Sequence, residues 1–155
     1  MDNVGLLKII EKFKLENLVP EVDPTQILVT QPDVNRPALQ LAGYYEHFDS
    51  ERIQIIGYVE YTYMQQLSEE ERSQTYEALL SYNIPCIIFC RDIDPDEDFL
   101  RIAKEHEIPV LRTKKTTSSF MAEIIRWLNV QLAPMISIHG VLVDVCGEGL
   151  LIMGE

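Results

Sequence analysis

Pro85-Cys86-Ile87-Ile88-Phe89-Cys90 is a continuous apolar run, followed by Asp94-Pro95 and, further on, by Pro109-Val110-Leu111. A segment apolar at every position, not at alternate ones, is expected of a strand buried on both faces. Asp94 is placed to cap a helix with Pro95 at its first position and Glu97 at its third. Phe99, Ile102, Ala103 and His106 fall on the inner face of that helix. Pro109-Val110-Leu111 is then a second strand. Strand, helix, strand at this spacing is a βαβ crossover, which is right-handed and joins parallel strands. The fold class is therefore α/β: a parallel or mixed sheet flanked by helices.

Working outward, Ser68-x-x-Glu71 is a capping box that opens a helix to about residue 81, with Tyr76, Leu79 and Leu80 as its apolar side. Asn83-Ile84-Pro85 and Glu107-Ile108-Pro109 repeat the same helix-to-strand junction. Residues 58–66 read as a helix, although their aromatic and β-branched content also suits a strand. Arg52 to Ile56 is a strand closed by Gly57, and residues 38–43 are a short helix ending at Gly43. The prolines at 32 and 37 make residues 31–37 a polar segment kept out of helix. Ile27-Leu28-Val29 is a short strand. Residues 3–16 form a helix capped by Asn3 and ended by Asn17, with Leu6, Leu7, Ile10 and Phe13 on one side. Toward the other end, Thr116 to Ser119 cap a helix over 119–132, striped by Met121, Ile124, Ile125, Leu128 and Leu132. Ala133-Pro134 ends it, and everything after reads as β. This divides the chain into an α/β domain over 1–133 and the start of another over 134–155.

The 155 residues carry 13 basic and 25 acidic side chains, a formal charge of −12. Such a surface repels nucleic acid and anionic membranes, so neither is an expected partner. Arg112, Lys114 and Lys115 are the only local basic cluster. No apolar run approaches the roughly 20 residues that cross a bilayer, and the N-terminus lacks a signal-peptide pattern. Cys86 and Cys90 share a face of one strand but lie too far apart to bridge. With Cys146 they read as reduced thiols in a cytoplasmic protein.

The candidate chemistry lies at the end of the chain. Ile138 to Val145, a turn at Cys146-Gly147-Glu148-Gly149, and Leu150 to Met153 form a hairpin that leads to Gly154-Glu155. Strand, turn, strand, then Gly is the entry to a G-x-x-x-x-G-K-[ST] phosphate loop. The chain stops after that loop's first Gly, before its Lys and Ser/Thr. His139 is either an imidazole beside the phosphates or an edge-strand side chain facing water. The unpaired edge of the hairpin is expected to be disordered or to pair with another copy.

Elsewhere, His106 reads as a structural group at the negative end of a helix. His47 lies in an aromatic loop that either contacts a ligand or covers the sheet. Asp92, Asp94, Asp96, Glu97 and Asp98 lack EF-hand spacing and read mainly as helix-capping charges, so no metal site is expected. Arg36 suits an anion or a surface carboxylate, and its residue type does not decide between them.

The run Asp33 to Tyr45, together with Arg52 to Gly57, Pro109 to Thr113 and Gln131 to Pro134, resembles the N-terminal domain of bacterial HPr(Ser) kinase/phosphorylase. Ile138 to Val145, Gly147, Gly149 and Gly154-Glu155 continue the resemblance into that family's kinase domain, in the same order. Ala38 stands where the family has Gly, and Cys146 where it has an aromatic. The resemblance implies an α/β module like a domain of the Mur ligases, followed by a β-hairpin fragment of a P-loop kinase domain. It implies a bifunctional cytoplasmic enzyme that phosphorylates a serine of HPr, with ATP or pyrophosphate and Mg²⁺, and removes that phosphate by phosphorolysis. Regulation of carbon catabolite repression and a hexamer assembled through the C-terminal domain are implied with it. His139 then matches the family's active-site histidine, and Gly154 and Glu155 the start of the ATP phosphate loop. The loop Lys, the Mg²⁺-binding Ser/Thr and the acidic base fall past residue 155. This chain alone is therefore expected to bind no cofactor and to lack kinase activity. The alternative is a stand-alone α/β regulatory module that binds a small anion near Arg36.

Overall fold

The computed structural model describes residues 3–133 and the strand pairing of 145–147 with 149–150. In chain order the elements are β1 (Val4–Gly5), α1 (Leu6–Phe13), β2 (Glu16–Asn17), β3 (Leu28–Val29), β4 (Val34–Asn35), α2 (Ala38–Leu41) and β5 (Ile53–Ile56). There follow α3 (Tyr58–Gln65), α4 (Glu69–Leu80), β6 (Ile87–Phe89), α5 (Glu97–Glu105), β7 (Val110–Arg112), α6 (Thr117–Gln131), β8 (Val145–Gly147) and β9 (Gly149–Leu150). The central sheet runs β2-β7-β6-β5-β4. Its strands β4 to β7 are mutually parallel, and β2 joins antiparallel at the β7 edge. The sheet is thus mixed and mostly parallel, as the crossover unit requires.

Burial on both faces explains the unbroken apolar run at β6. Cys86, Ile88 and Cys90 pack on one face with Leu6 and Ile9 of α1 and Phe120, Ile124 and Leu128 of α6. Ile87 and Phe89 pack on the other with Tyr76, Leu79, Leu80, Phe99 and Ile102 of α4 and α5. Successive residues of the strand alternate faces, so each finds a helix to meet. Ser68 and Glu71 form the expected capping box, with bonds of 3.1 Å in each direction. Thr116 caps α6 through Ser119 N–H.

Several boundaries differ from the sequence expectation, among them α6, which begins at Thr117 and not at 119, and α2, which ends at Leu41 before Gly43. The helix at the start begins at Leu6, not near Asn3, because Val4 and Gly5 are held in an antiparallel ladder with Val29 and Leu28. It ends at Lys14, which turns left-handed (φ 53°), and Asn17 lies in β2, opposite Leu111. The polar segment 31–37 contains a strand: Val34 and Asn35 pair with Ile53 and Gln54 at the sheet edge, where flanking prolines cost no ladder bonds. The cap of α5 is Asp96, not Asp94. The Asp96 carboxylate is held by Tyr76 Oη, Arg72 and Gln65, which fixes the chain two residues further on.

Of the hairpin, Val145 pairs with Leu150 and Gly147 with Gly149. The remaining residues of the two arms, with His139, Gly154 and Glu155, lie outside the described residues, as does the expectation of disorder or of pairing with another copy.

Candidate functional site

In parallel sheets ligand sites form outside the carboxyl ends of the strands. Here β4 leads to Arg36, β5 to Gly57, β6 to Cys90 and Arg91, and β7 to residues 113–117. The Gly57 N–H donates to Glu60 Oε1 at 2.8 Å. The same carboxylate oxygen accepts from Arg36 Nη2 at 2.8 Å. Glu60 is buried at the positive end of α3, so it serves as an internal anion for both the helix and the guanidinium.

The backbone of Gly57 (φ −113°) does not itself demand glycine. Its neighbours do. A Cβ there would lie 2.5 Å from Thr117 Oγ1 and 2.8 Å from Arg36 Nη2. Glycine lets the start of α3, the start of α6 and the Arg36 side chain meet at one point. Beside them, burial pushes the Cys90 thiol up to about 11, against the charges of Arg36 and Arg91. Burial also raises Cys86 strongly. Both thiols are buried and hold their protons near neutral pH.

Arg91 and Asp92 are both left-handed, with φ of 59° and 56°. Their amides donate to Lys115 O at 2.8 Å and Thr113 O at 2.9 Å, which holds the turn against β7's exit. The Arg91 guanidinium lies 5.0 Å from the centroid of the Tyr58 ring. A second polar network supports the edge: Asn35 Nδ2 donates to Gln54 Oε1 at 2.7 Å and to Gln40 Oε1 at 3.1 Å. The Asn35-Arg36 pair is therefore a joint between β4, α2, β5 and α3. Its chemistry is matched charge, with Arg36 Nε and the neighbouring Thr117 Oγ1 left buried without a hydrogen-bond partner among the described residues.

The other sequence candidates are dispersed. His106 caps the end of α5 at the sheet's opposite edge, with Nε2 2.5 Å from Glu77 Oε2, in the structural role expected. It sits at the rim and not on the inner face, where Phe99, Ile102 and Ala103 are buried. His47 is exposed and left-handed (φ 63°). The acidic run caps less than expected: Asp92 and Asp94 pair with Arg112 at 3.4 Å each, and only Glu97 and Asp98 lie in the first turn of α5. Both Ile-Pro junctions line a cavity of about 910 Å³ at the amino-terminal edge of the sheet, shared with Glu21, Lys104 and His106. Glu60 and Thr117 were not singled out by sequence. The signal available for Glu60 was Gly57-x-x-Glu60 at a helix start; Thr117 had none, because its role depends on a residue sixty positions away.

Residues 4–128 match the family described as HPr Serine kinase N terminus. The chain belongs to that family. Over 155 residues it is 59% identical to the HPr kinase/phosphorylase of Lachnoclostridium phytofermentans and 42% identical to that of Caldanaerobacter subterraneus. With the HPr kinase/phosphorylase of Clostridium botulinum strain Eklund 17B it shares 45% over 152 residues. All of this chain is covered in the first two matches, but only 50% of each relative, so the chain spans about half their length. Among solved structures it is similar to the CBS and DRTGG domains of the regulatory region of Clostridium perfringens pyrophosphatase, crystallised with the activator diadenosine tetraphosphate. The TM-score is 0.50 at 18% identity, covering 78% of this chain and 45% of that one, a likeness of fold. Among the described residues no helix is long and apolar enough to cross a membrane.

Proposed function

We propose that this chain is the N-terminal part of a bifunctional enzyme that phosphorylates a serine of HPr and removes that phosphate by phosphorolysis. The observation that carries the reading is end-to-end similarity to HPr kinase/phosphorylases that extend to twice this length. Residues 1–133 are then a regulatory or assembly domain, and residues 134–155 open the P-loop kinase domain. His139 is the active-site imidazole, and Gly154 and Glu155 begin the loop that receives ATP or pyrophosphate. Mg²⁺ would offset the charge that develops on the transferred phosphoryl group. The whole enzyme works in the cytoplasm as a hexamer and tunes carbon catabolite repression.

Several features support assigning the chemistry to residues outside 3–133. Arg36 is matched by Glu60, Arg112 by Glu16 at 2.9 Å, and Lys115 by Glu123 at 2.6 Å. A phosphate arriving at Arg36 would have to displace a buried carboxylate, which disfavours the stand-alone anion-binding reading. The test is the natural gene past codon 155. The reading expects Ser-x-x-Gly-Lys-Ser/Thr or a close variant there, and a longer product that phosphorylates HPr on serine. A longer product with no lysine-bearing phosphate loop would overturn it.

A further inference from the structure

The cavity of about 910 Å³ at the amino-terminal edge of the sheet has an apolar wall and an acidic rim. Its size lies in the range of about 300–1,000 Å³ that small-molecule sites occupy. The wall is built by Val22, Ile84, Pro85 and Ile108, all buried. Four exposed carboxylates stand around it: Glu21, Asp23, Glu51 and Glu107. The two bases that share the cavity are both engaged. Lys104 Nζ lies 3.5 Å from Glu21, and His106 Nε2 lies 2.5 Å from Glu77. Among the described residues Asp23, Glu51 and Glu107 pair with no cation. Asp23 accepts only from the Thr25 amide and hydroxyl, at 2.9 and 2.7 Å, and Glu51 from Gln31 at 3.2 Å. The Thr25 amide, then its hydroxyl, hold the Asp23 carboxyl below its ordinary value, so it is ionised at neutral pH. Helix α4 ends beside Asn83 of the lining, and its last turn carries no base to offset the negative helix end.

We infer that this cavity binds an aliphatic polyamine, a flexible di- or triamine. Charge sets the sign of the ligand. Three carboxylates without a cation, beside an uncompensated helix end, attract positive charge, and the net −12 of the chain raises its concentration nearby. An ammonium group only donates hydrogen bonds, and carboxylates only accept them. Pro85 in the wall has no N–H to offer an anion. Spacing sets the ligand's form. Among the described residues no three acidic, histidine or cysteine side chains come close enough to hold one metal ion, so the acids of the rim do not converge on a point. A ligand that answers them carries its charges apart, joined by a stem. The wall sets the nature of that stem. Methylenes leave water along Val22, Ile84 and Ile108 while the ammonium groups stay at the wet rim, as the parts of a lysine side chain do. This inference does not rest on the assignment of phosphoryl transfer.

The test is a ¹H–¹⁵N NMR titration of the purified 1–155 chain with spermidine at low salt, where charge attraction is least screened. The expected result is saturable shifts at the amides of Val22, Ile84 and Ile108, with half-saturation below about 1 mM. Asp23→Asn combined with Glu107→Gln removes two of the three unmatched charges at nearly constant shape and should weaken binding about tenfold. Glu51→Gln alone repeats the test at the third position and should weaken it about threefold. Glu70→Gln combined with Glu97→Gln removes two charges from the first turns of α4 and α5, at the far ends of the same helices, and should leave the affinity within about twofold. The substituted acids are exposed, so an unfolding midpoint at the parent value separates loss of ligand from loss of fold. Mg²⁺ at the same ionic strength should not move the same amides. No saturation in the millimolar range overturns the inference. So do shifts spread over the whole acidic surface, an equal loss from the two double variants, or the same shifts with Mg²⁺. None of these outcomes bears on whether the longer enzyme phosphorylates HPr.

Discussion

Replacing Gly57 by alanine tests the joint at the carboxyl edge of the sheet. The added methyl would meet Thr117 Oγ1 at 2.5 Å, Thr117 Cγ2 at 3.2 Å and Arg36 Nη2 at 2.8 Å. Thr117 has no good escape, since rotation about its Cα–Cβ bond exchanges one branch for the other. Relief therefore requires α6 to shift, or Arg36 to leave Glu60. Forcing a methyl into a packed site costs about 1–3 kcal/mol. Stripping a buried carboxylate of its cation adds up to about 3 kcal/mol more. Reduced freedom of the unfolded chain returns only about 0.5 kcal/mol. The expected net loss is about 3 kcal/mol, or a fall in Tm of roughly 10 °C for a domain of this size. Urea unfolding followed by circular dichroism measures it, with the midpoint lowered at unchanged m. Thr117→Ala in the same background should recover at least about 1 kcal/mol beyond additivity, because the two residues touch. A Gly57→Ala chain within about 0.5 kcal/mol of the parent, or no coupling to Thr117, would refute the close-approach argument.

Three further outcomes follow from the same packing. Cys86 and Cys90 should resist alkylation at pH 8 in the folded chain and react at once in denaturant, as followed by mass spectrometry. The Cys90 thiol is raised from 9.0 to about 11, so the folded state holds its proton more tightly. Stability should be intact below pH 9 and fall as pH rises from 9 to 11, by on the order of 2–3 kcal/mol from this group, with Cys86 acting in the same direction. A flat urea midpoint across that window would contradict this. Tyr76→Phe removes a hydroxyl that bonds the Asp96 carboxylate, and should lower stability by about 1–2 kcal/mol with Arg72 and Gln65 still in place. Ser68→Ala breaks the capping box of α4 and should cost about 1 kcal/mol, measured by the same unfolding curve.

The elements that were legible in sequence were those with a long or chemically marked pattern. The β6 run announced a strand buried on both faces, and Ser68-x-x-Glu71 announced the start of α4 to the residue. What was not legible were the two-residue strands β1, β2 and β4. Two residues are too few to show a period of two, and each exists only because a distant partner satisfies its backbone. Asp96 displaced Asp94 as a cap for the same reason: its carboxylate answers to α3 and α4, far away in sequence. At the carboxyl edge, Arg36 was visible as a cation of undecided role. Glu60 decided that role from twenty-four residues further on, a spacing that no local rule predicts. The family resemblance rested on ordered short matches along the whole chain, and these survive even where individual boundaries moved.

We propose that the sheet domain is a scaffold and that phosphoryl transfer needs a G-x-x-x-x-G-K-[ST] loop, of which residues 1–155 hold only the proposed first glycine, Gly154. Incubating purified 1–155 with HPr, Mg²⁺ and γ-labelled ATP measures that directly. The expected result is no serine-bound label on HPr above a control without the chain. Label that appears on HPr, needs ATP and scales with the amount of chain would contradict it.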